Sequence, residues 1–364
     1  MDYEQIIEEQ IRGMDLGAFE QSGQDAIRES GIFDPFTVEE LVHHLMNGQP
    51  LFDSDQIMEN MKNLFFMEIK ASVAVGCEIL AVCIILGLLN GFSDSFGSKT
   101  VSALGTVLCS CVIIALCIGN FYQAYDYCQS TVDAMSHTME LLLPIMIPLL
   151  VATGGISSGS LMDPAIMGAI TGFNFLMLHL VLPLVFLSAV FVLINSITEK
   201  DYVKKLSSFL RKGAIFLTGL TITVFTGITA IQGVVTKSAD GILMNTAKFS
   251  LDNFIPIVGG FAADSLELVI GCVSLVKSAV GVLGIIVILS LMVIPVLKLL
   301  SIAVIYKVIA IAAEPIASKN ISDSLSEIGT AAITMTVVLG LGTMMFLIFI
   351  TIIMGMGGGA IWNS

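Results

Sequence analysis

Residues 236–284 decide how this chain reads: T-K-S-A-D-G-I-L-M-N-T-A-K-F-S-L-D-N-F-I-P-I-V-G-G-F-A-A-D-S-L-E-L-V-I-G-C-V-S-L-V-K-S-A-V-G-V-L-G. The stretch lies between apolar runs yet carries Lys237, Asp240, Lys248, Asp252, Asp264, Glu267 and Lys277. Charge at this density persists beside membrane spans only where water or other protein groups solvate it. Pro256 and Gly259-Gly260 interrupt the run, and the apolar pattern that resumes is too short to cross. The segment about 254–276 is therefore expected to be re-entrant and to line a cavity.

Working outward, composition sets the class. Hydrophobic residues make up 55% of the chain and charged ones 13%, with a mean hydropathy of +0.92, far from the balance of a soluble domain. The apolar residues gather in runs of about 20, the length a helix needs to cross a bilayer core of roughly 30 Å. The expected fold is all-α, a polytopic helical membrane protein with spans at about 71–90, 101–122, 175–195, 214–233, 278–297, 299–317 and 331–355. A second interrupted segment, about 141–173, is expected to turn back like the first. Backbone breaks are expected at Pro144, Pro148, Gly154, Gly155, Pro256, Gly259 and Gly260, because proline stops a helix and paired glycines permit a turn.

Residues 1–66 hold 14 acidic side chains against Arg12, Arg28 and Lys62, which is −11 of the chain's −14. They read as a small acidic helical domain ahead of a transmembrane domain over 67–364. Its clearest helix start is Thr37, just after Asp34-Pro35, with Glu40 as the capping-box partner. Phe33, Phe36, Phe52, Phe65 and Phe66 supply a core too small to stand alone, so this head should lean on the membrane part or on a partner. Its acidity argues against nucleic acid or anionic lipid as that partner. Met1–Gln10 shows no basic stretch leading into an apolar one, so no secretory signal is expected there.

The segment 199–212 is the most basic loop, with Lys200, Lys204, Lys205, Arg211 and Lys212, and the positive-inside rule makes it cytoplasmic. Seven crossings then put the head outside and the C-terminus inside. The polar stretch 123–140, with Asp126, Asp133, His137 and Glu140 but no Lys or Arg, reads as an outside loop holding Cys128. A full crossing at 141–160 would move the N-terminus inside instead. The other six cysteines lie in or beside apolar helices, and no spacing suggests a disulfide framework or a zinc site. A parallel repeat is also legible: Pro144 to Pro183 and Pro256 to Pro295 are both 39 residues, at an offset of 112.

The chain resembles the stage III sporulation protein AE family of endospore-forming bacteria. The resemblance rests on S-A-D-G-I-L-M-N-T-A-K-F-S-L-D-N-F-I-P-I-V-G (238–259), S-L-V-K-S-A-V-G-V-L-G (274–284) and P-V-L-K-L-L-S-I-A-V-I-Y-K (295–307), with weaker similarity from about residue 71 to the C-terminus. It implies a component of the channel-like complex between mother cell and forespore, placed in the mother-cell-derived membrane around the forespore. The implied partners are the other stage III A operon membrane proteins, including an ATPase and ring-forming proteins, with stage II sporulation protein Q reached indirectly. The family usually begins with a cleavable signal peptide, which this sequence does not show.

Asp240, Lys248, Asp252, Asn253 and Asp264 are the candidate lining of a conduit, where pore water would solvate them. The plainer reading is an interfacial segment with Lys248 and Asp252 paired four residues apart. Glu78, inside the first span, must face protein or water or be protonated. Lys298 and Lys307 are expected to snorkel at span ends. No nucleophile–base pair, nucleotide loop or metal-ligand spacing stands out, so neither an enzyme nor a cofactor is expected. Two rival functions stay open: an autonomous secondary transporter of a small solute, and a non-conducting membrane anchor for ring-forming partners.

Overall fold

A computed structural model describes residues 3–48, 50–96, 99–155, 167–195, 204–254, 259–317 and 319–356, with side chains described outside 3–6, 90, 92–96, 99–103, 106, 232–254 and 259–267. The described residues form helices α1 (Tyr3–Arg12), α2 (Gly17–Ser30), α3 (Val38–Asn47), α4 (Ser54–Phe96), α5 (Lys99–Ala152), α6 (Met167–Asn195), α7 (Lys204–Phe254), α8 (Gly259–Ala313) and α9 (Lys319–Gly355), and no strand. From α4 onward, all six are long and apolar enough to cross a membrane. The all-α polytopic class is thus established.

Helices α1–α3 make the head. Thr37 caps α3: its hydroxyl accepts from the Glu40 N–H at 3.2 Å, and the Glu40 carboxylate accepts from the Thr37 N–H at 2.9 Å. Phe33, Phe36 and Phe52 cluster, with ring centroids 5.1 Å and 6.2 Å apart, whereas Phe66 points outward. Phe19, Ile27, Val38 and Leu41 are buried, and the head lies against α8 and α5. Gly23 fits so closely that a Cβ there would stand 2.8 Å from Val287 Cγ2.

Helix α8 is the hub, touching α4, α5, α7, α9 and the head. At 55 residues it is about 80 Å long, more than twice a bilayer core. The spans expected at 278–297 and 299–317 are two stretches of this one helix, and no turn separates them. Pro295 sits inside it. The physical reason is burial by protein. Among the described residues, the large apolar side chains that α8 exposes are Val269 at one end and Val304, Val308 and Ile311 at the other, while its middle is covered by α2, α3, α5 and α9. Hydropathy alone cannot distinguish a helix wrapped in protein from one wrapped in lipid.

Helix α5 likewise departs from expectation, at two of the expected backbone breaks. It runs unbroken through the polar stretch 123–140 and through Pro144 and Pro148, so neither proline breaks the chain. Each withholds one N–H, from the carbonyls of Glu140 and Pro144, and tertiary packing outweighs that loss. Cys128 is fully buried in this helix rather than placed in a loop. The turn comes at Gly154, with φ +92, where Gly155 N–H donates to Leu150 O at 2.9 Å. A Cβ on Gly155 would lie 2.8 Å from that same oxygen. Residues 156–166 and 255–258, Pro256 among them, lie outside the described residues, and with them the turnarounds that re-entrance would need. Gly259 and Gly260 open α8.

Helix α6 meets its own proline differently. The five residues Met177–Val181 form a π-turn just before Pro183, a local widening that absorbs the missing bond. Helix α7 packs on α6 and α9, and its Phe209, Phe216, Leu220 and Ile231 face outward.

Candidate functional site

Asp240, Lys248, Asp252 and Asn253 fall in the last third of α7, which stays helical to Phe254, and Asp264 falls in the second turn of α8. Lys248 and Asp252 are therefore one helical turn apart along an unbroken backbone. Their side chains lie outside the described ones.

The polar groups that the structure does bring together lie elsewhere, where α6, α7, α8 and α9 meet. Arg211, near the start of α7, donates to Glu327 Oε2 on α9 at 2.6 Å. Arg211 is 11% exposed and Glu327 38%, so the pair is half-shielded from water. Beside Glu327 and one turn beyond it on α9, Lys307 Nζ of α8 donates to Ser326 Oγ at 3.4 Å and to Thr330 Oγ1 at 3.0 Å. Asn195, Lys204, Asn320, Asp323 and Glu327 border a cleft of about 30 Å³, room for about two waters. Two cations and their acceptors thus tie three helices into one register, a holding arrangement rather than a reactive one. Buried Arg211 Nε has no hydrogen-bond partner among the described residues.

Deeper in the bundle, Asn120 Nδ2 donates to Tyr306 Oη at 3.3 Å, joining α5 to α8. Farther along α8, Lys277 is 1% exposed, and its ammonium donates to the carbonyl of Met356, just past the end of α9. The last carbonyls of a helix have no partner within it, so this buried cation satisfies one and meets the negative end of the helix dipole. Lys298, expected at a span end, is midway along α8 and stands 3.6 Å from the ring centroid of Tyr127. Lys307 is likewise inside the helix and hydrogen-bonded. Both are met by groups of neighbouring helices.

Two seams separate head from body. One, of about 210 Å³, lies between α2, α5 and α8, bordered by Glu29, Tyr127, Ser290 and Pro295; the other, of about 400 Å³, runs from Met14 and Phe19 to Glu140 and Pro148. Among the described residues, no three His, Cys, Asp or Glu side chains converge in metal-binding reach.

Sequence reasoning passed over Arg211–Glu327, Asn120–Tyr306 and Lys277–Met356. The usable signal was the rarity of such groups inside apolar helices, which marks each as requiring a partner. The partners themselves come from helices far apart in sequence.

A family model described as stage III sporulation protein AE matches residues 36–357. Stage III sporulation protein AE of Bacillus subtilis (strain 168) is 29% identical over 357 residues, which cover 97% of this chain and 89% of that relative. No solved structure matches the chain.

Proposed function

The chain belongs to the stage III sporulation protein AE family, and from that premise we propose that this multi-pass membrane protein is the scaffolding core of the channel complex between mother cell and forespore. Its place is the mother-cell-derived membrane around the forespore. Its partners there are the other stage III A operon membrane proteins, an ATPase and ring-forming proteins among them, with stage II sporulation protein Q reached indirectly.

The observation that carries this reading is the seating of the head. Its apolar side is spent on α8 and α5, while Glu8, Glu9, Asp25, Glu29, Glu39 and Glu40 are exposed. A rigidly mounted acidic surface suits protein recruitment, since charge complementarity speeds and orients association. Six crossings with 199–212 cytoplasmic would put this surface and the end of α9 on the same, outer side, which supports the reading.

A permease-like role is the second reading, favoured by Asp240, Lys248 and Asp252 continuing along α7 beyond its apolar part. One pair of variants separates the two. Replacing Glu9, Asp25 and Glu39 by Lys should block sporulation in the scaffold reading, while neutralising Asp240, Lys248 and Asp252 together leaves it intact. The opposite pattern, in protein that still reaches the membrane, makes the conduit the correct reading.

A further inference from the structure

Helix α4 has two faces with the same spacing and opposite fates. Gly76, Ile79, Cys83 and Leu86 are buried, and a Cβ on Gly76 would lie 2.8 Å from both Ile305 and Ile309 of α8. On the other side Ala71, Ala74, Glu78, Ala81, Ile85 and Leu88 are all exposed. Both sets alternate steps of three and four, the seven-residue repeat with which one helix packs along another at a shallow angle.

Glu78 is the anomaly. It is the lone charge between Lys70 and Asp94, and it lies eight residues past Lys70, about 12 Å into the span. A carboxylate side chain is too short to reach water from there. Ionisable groups at such depth normally face the bundle interior, yet this one faces away from its own bundle and has no partner among the described residues. Its neighbours on the face are small, which lets another helix backbone come close.

We propose that this face is a docking seam for a transmembrane helix of a different chain, one that carries a lysine or arginine at the depth of Glu78. A second copy fits less well. Two copies meeting on this face would bring Glu78 against Glu78. Among the described side chains, four cations set within the long helices are already engaged: Arg211 with Glu327, Lys307 with Ser326 and Thr330, Lys298 with Tyr127, and Lys277 with Met356. A single polar residue within a heptad seam fixes register and partner choice, which is the role Glu78 takes here. The inference stands whether the protein conducts or only scaffolds.

Cys77, exposed beside Glu78, supplies the probe. The full-length chain with Cys77 as its single cysteine is reconstituted in phosphatidylcholine vesicles with a synthetic Leu/Ala helix of about 20 residues. That helix has Lys at its centre and Cys next to it; a control helix has Met in place of Lys. Under copper-phenanthroline and air, the Lys helix should form the disulfide with Cys77 about tenfold more than the Met helix, equivalent to about 1.4 kcal/mol. Glu78→Leu should abolish the difference, and Glu78→Lys should transfer the preference to a helix centred on Glu. The reversed charge pair keeps the test decisive should the Leu variant misfold. Equal capture of the Lys and Met helices overturns the proposal, leaving this face of α4 to lipid. Cys77–Cys77 disulfides between copies that the Lys helix does not displace overturn it as well, and give the seam to a second copy.

Discussion

Lys277 on α8 and Glu78 on α4 are both single charges set deep in apolar helices, and the fold treats them in opposite ways. Lys277 is enclosed, with its ammonium on the carbonyl of Met356. Glu78 faces outward and is met by no group of its own chain among the described residues. In sequence the two signals are alike, a costly group in an apolar run. The difference teaches that such a group reports a contact without saying whether the chain itself or a neighbour provides it. Lys277 belongs to the energetics of folding; Glu78 belongs to assembly.

The comparison breaks first at Lys277. Replacing it by Glu puts a carboxylate against the Met356 carbonyl in a site closed to water, and should cost about 3–5 kcal/mol. Thermal unfolding in detergent micelles should show a large drop for Lys277→Glu. Lys277→Met, close in length and apolar, should cost about 1–2 kcal/mol for the orphaned carbonyl alone. Equal melting of both variants and the parent would mean that the lysine is not enclosed.

A second test contrasts the two faces of α4. On the α8 side, a Cβ at Gly87 would stand 2.6 Å from Ile316 Cγ2 and 2.7 Å from its backbone oxygen. A backbone atom cannot swing aside as a side chain can. Gly87→Ala should therefore cost about 1–3 kcal/mol through overpacking. Ala81→Val on the exposed side should leave unfolding unchanged and lower only the capture of the lysine-bearing helix.

Arg211 is the intermediate case, a cation enclosed on one side and open on the other. Arg211→Ala removes its bond to Glu327, whose carboxylate at 38% exposure can turn to water. The loss should be about 1 kcal/mol, read as a lower midpoint of unfolding. Glu327→Ala should cost more than Arg211→Ala, because it leaves the better-buried arginine unpaired.

How much of this was legible follows the same division. The helical membrane class, the Thr37–Glu40 cap and the leaning of the head on the body came from local pattern and composition. The polar stretch 123–140 was legible too, had periodicity been weighed above mean polarity. Phe121, Ala124, Cys128, Val132, Met135 and Met139 recur at three- and four-residue steps and are all buried, while Asp126, Asp133 and His137 between them and Glu140 just after face out. The continuity of α8 was not legible, because Pro295 and Lys298 look like a boundary until Tyr127 of α5 and the head are seen to cover that turn. The pairs Arg211–Glu327 and Asn120–Tyr306 are separated by 116 and 186 residues, and nothing local specifies such distant partners. As for the conduit residues Asp240, Lys248, Asp252, Asn253 and Asp264, sequence placed them and the backbone has each in a helix, with their side chains outside the described ones.

The smallest expected effect is the most discriminating. Glu78→Leu removes a carboxylate that meets no polar group among the described residues of its own chain, so the isolated protein in micelles should unfold within about 0.5 kcal/mol of the parent. In cells the same substitution should block sporulation as severely as Lys277→Glu does, although the variant accumulates in the membrane at the parent's level. That pairing of unchanged stability with lost function is the signature of a contact made to another chain. A destabilisation of about 1–3 kcal/mol, as for other lost buried contacts, would place Glu78 inside its own fold and return it to the class of Lys277. Normal sporulation with normal stability would leave the outward face of α4 to lipid alone.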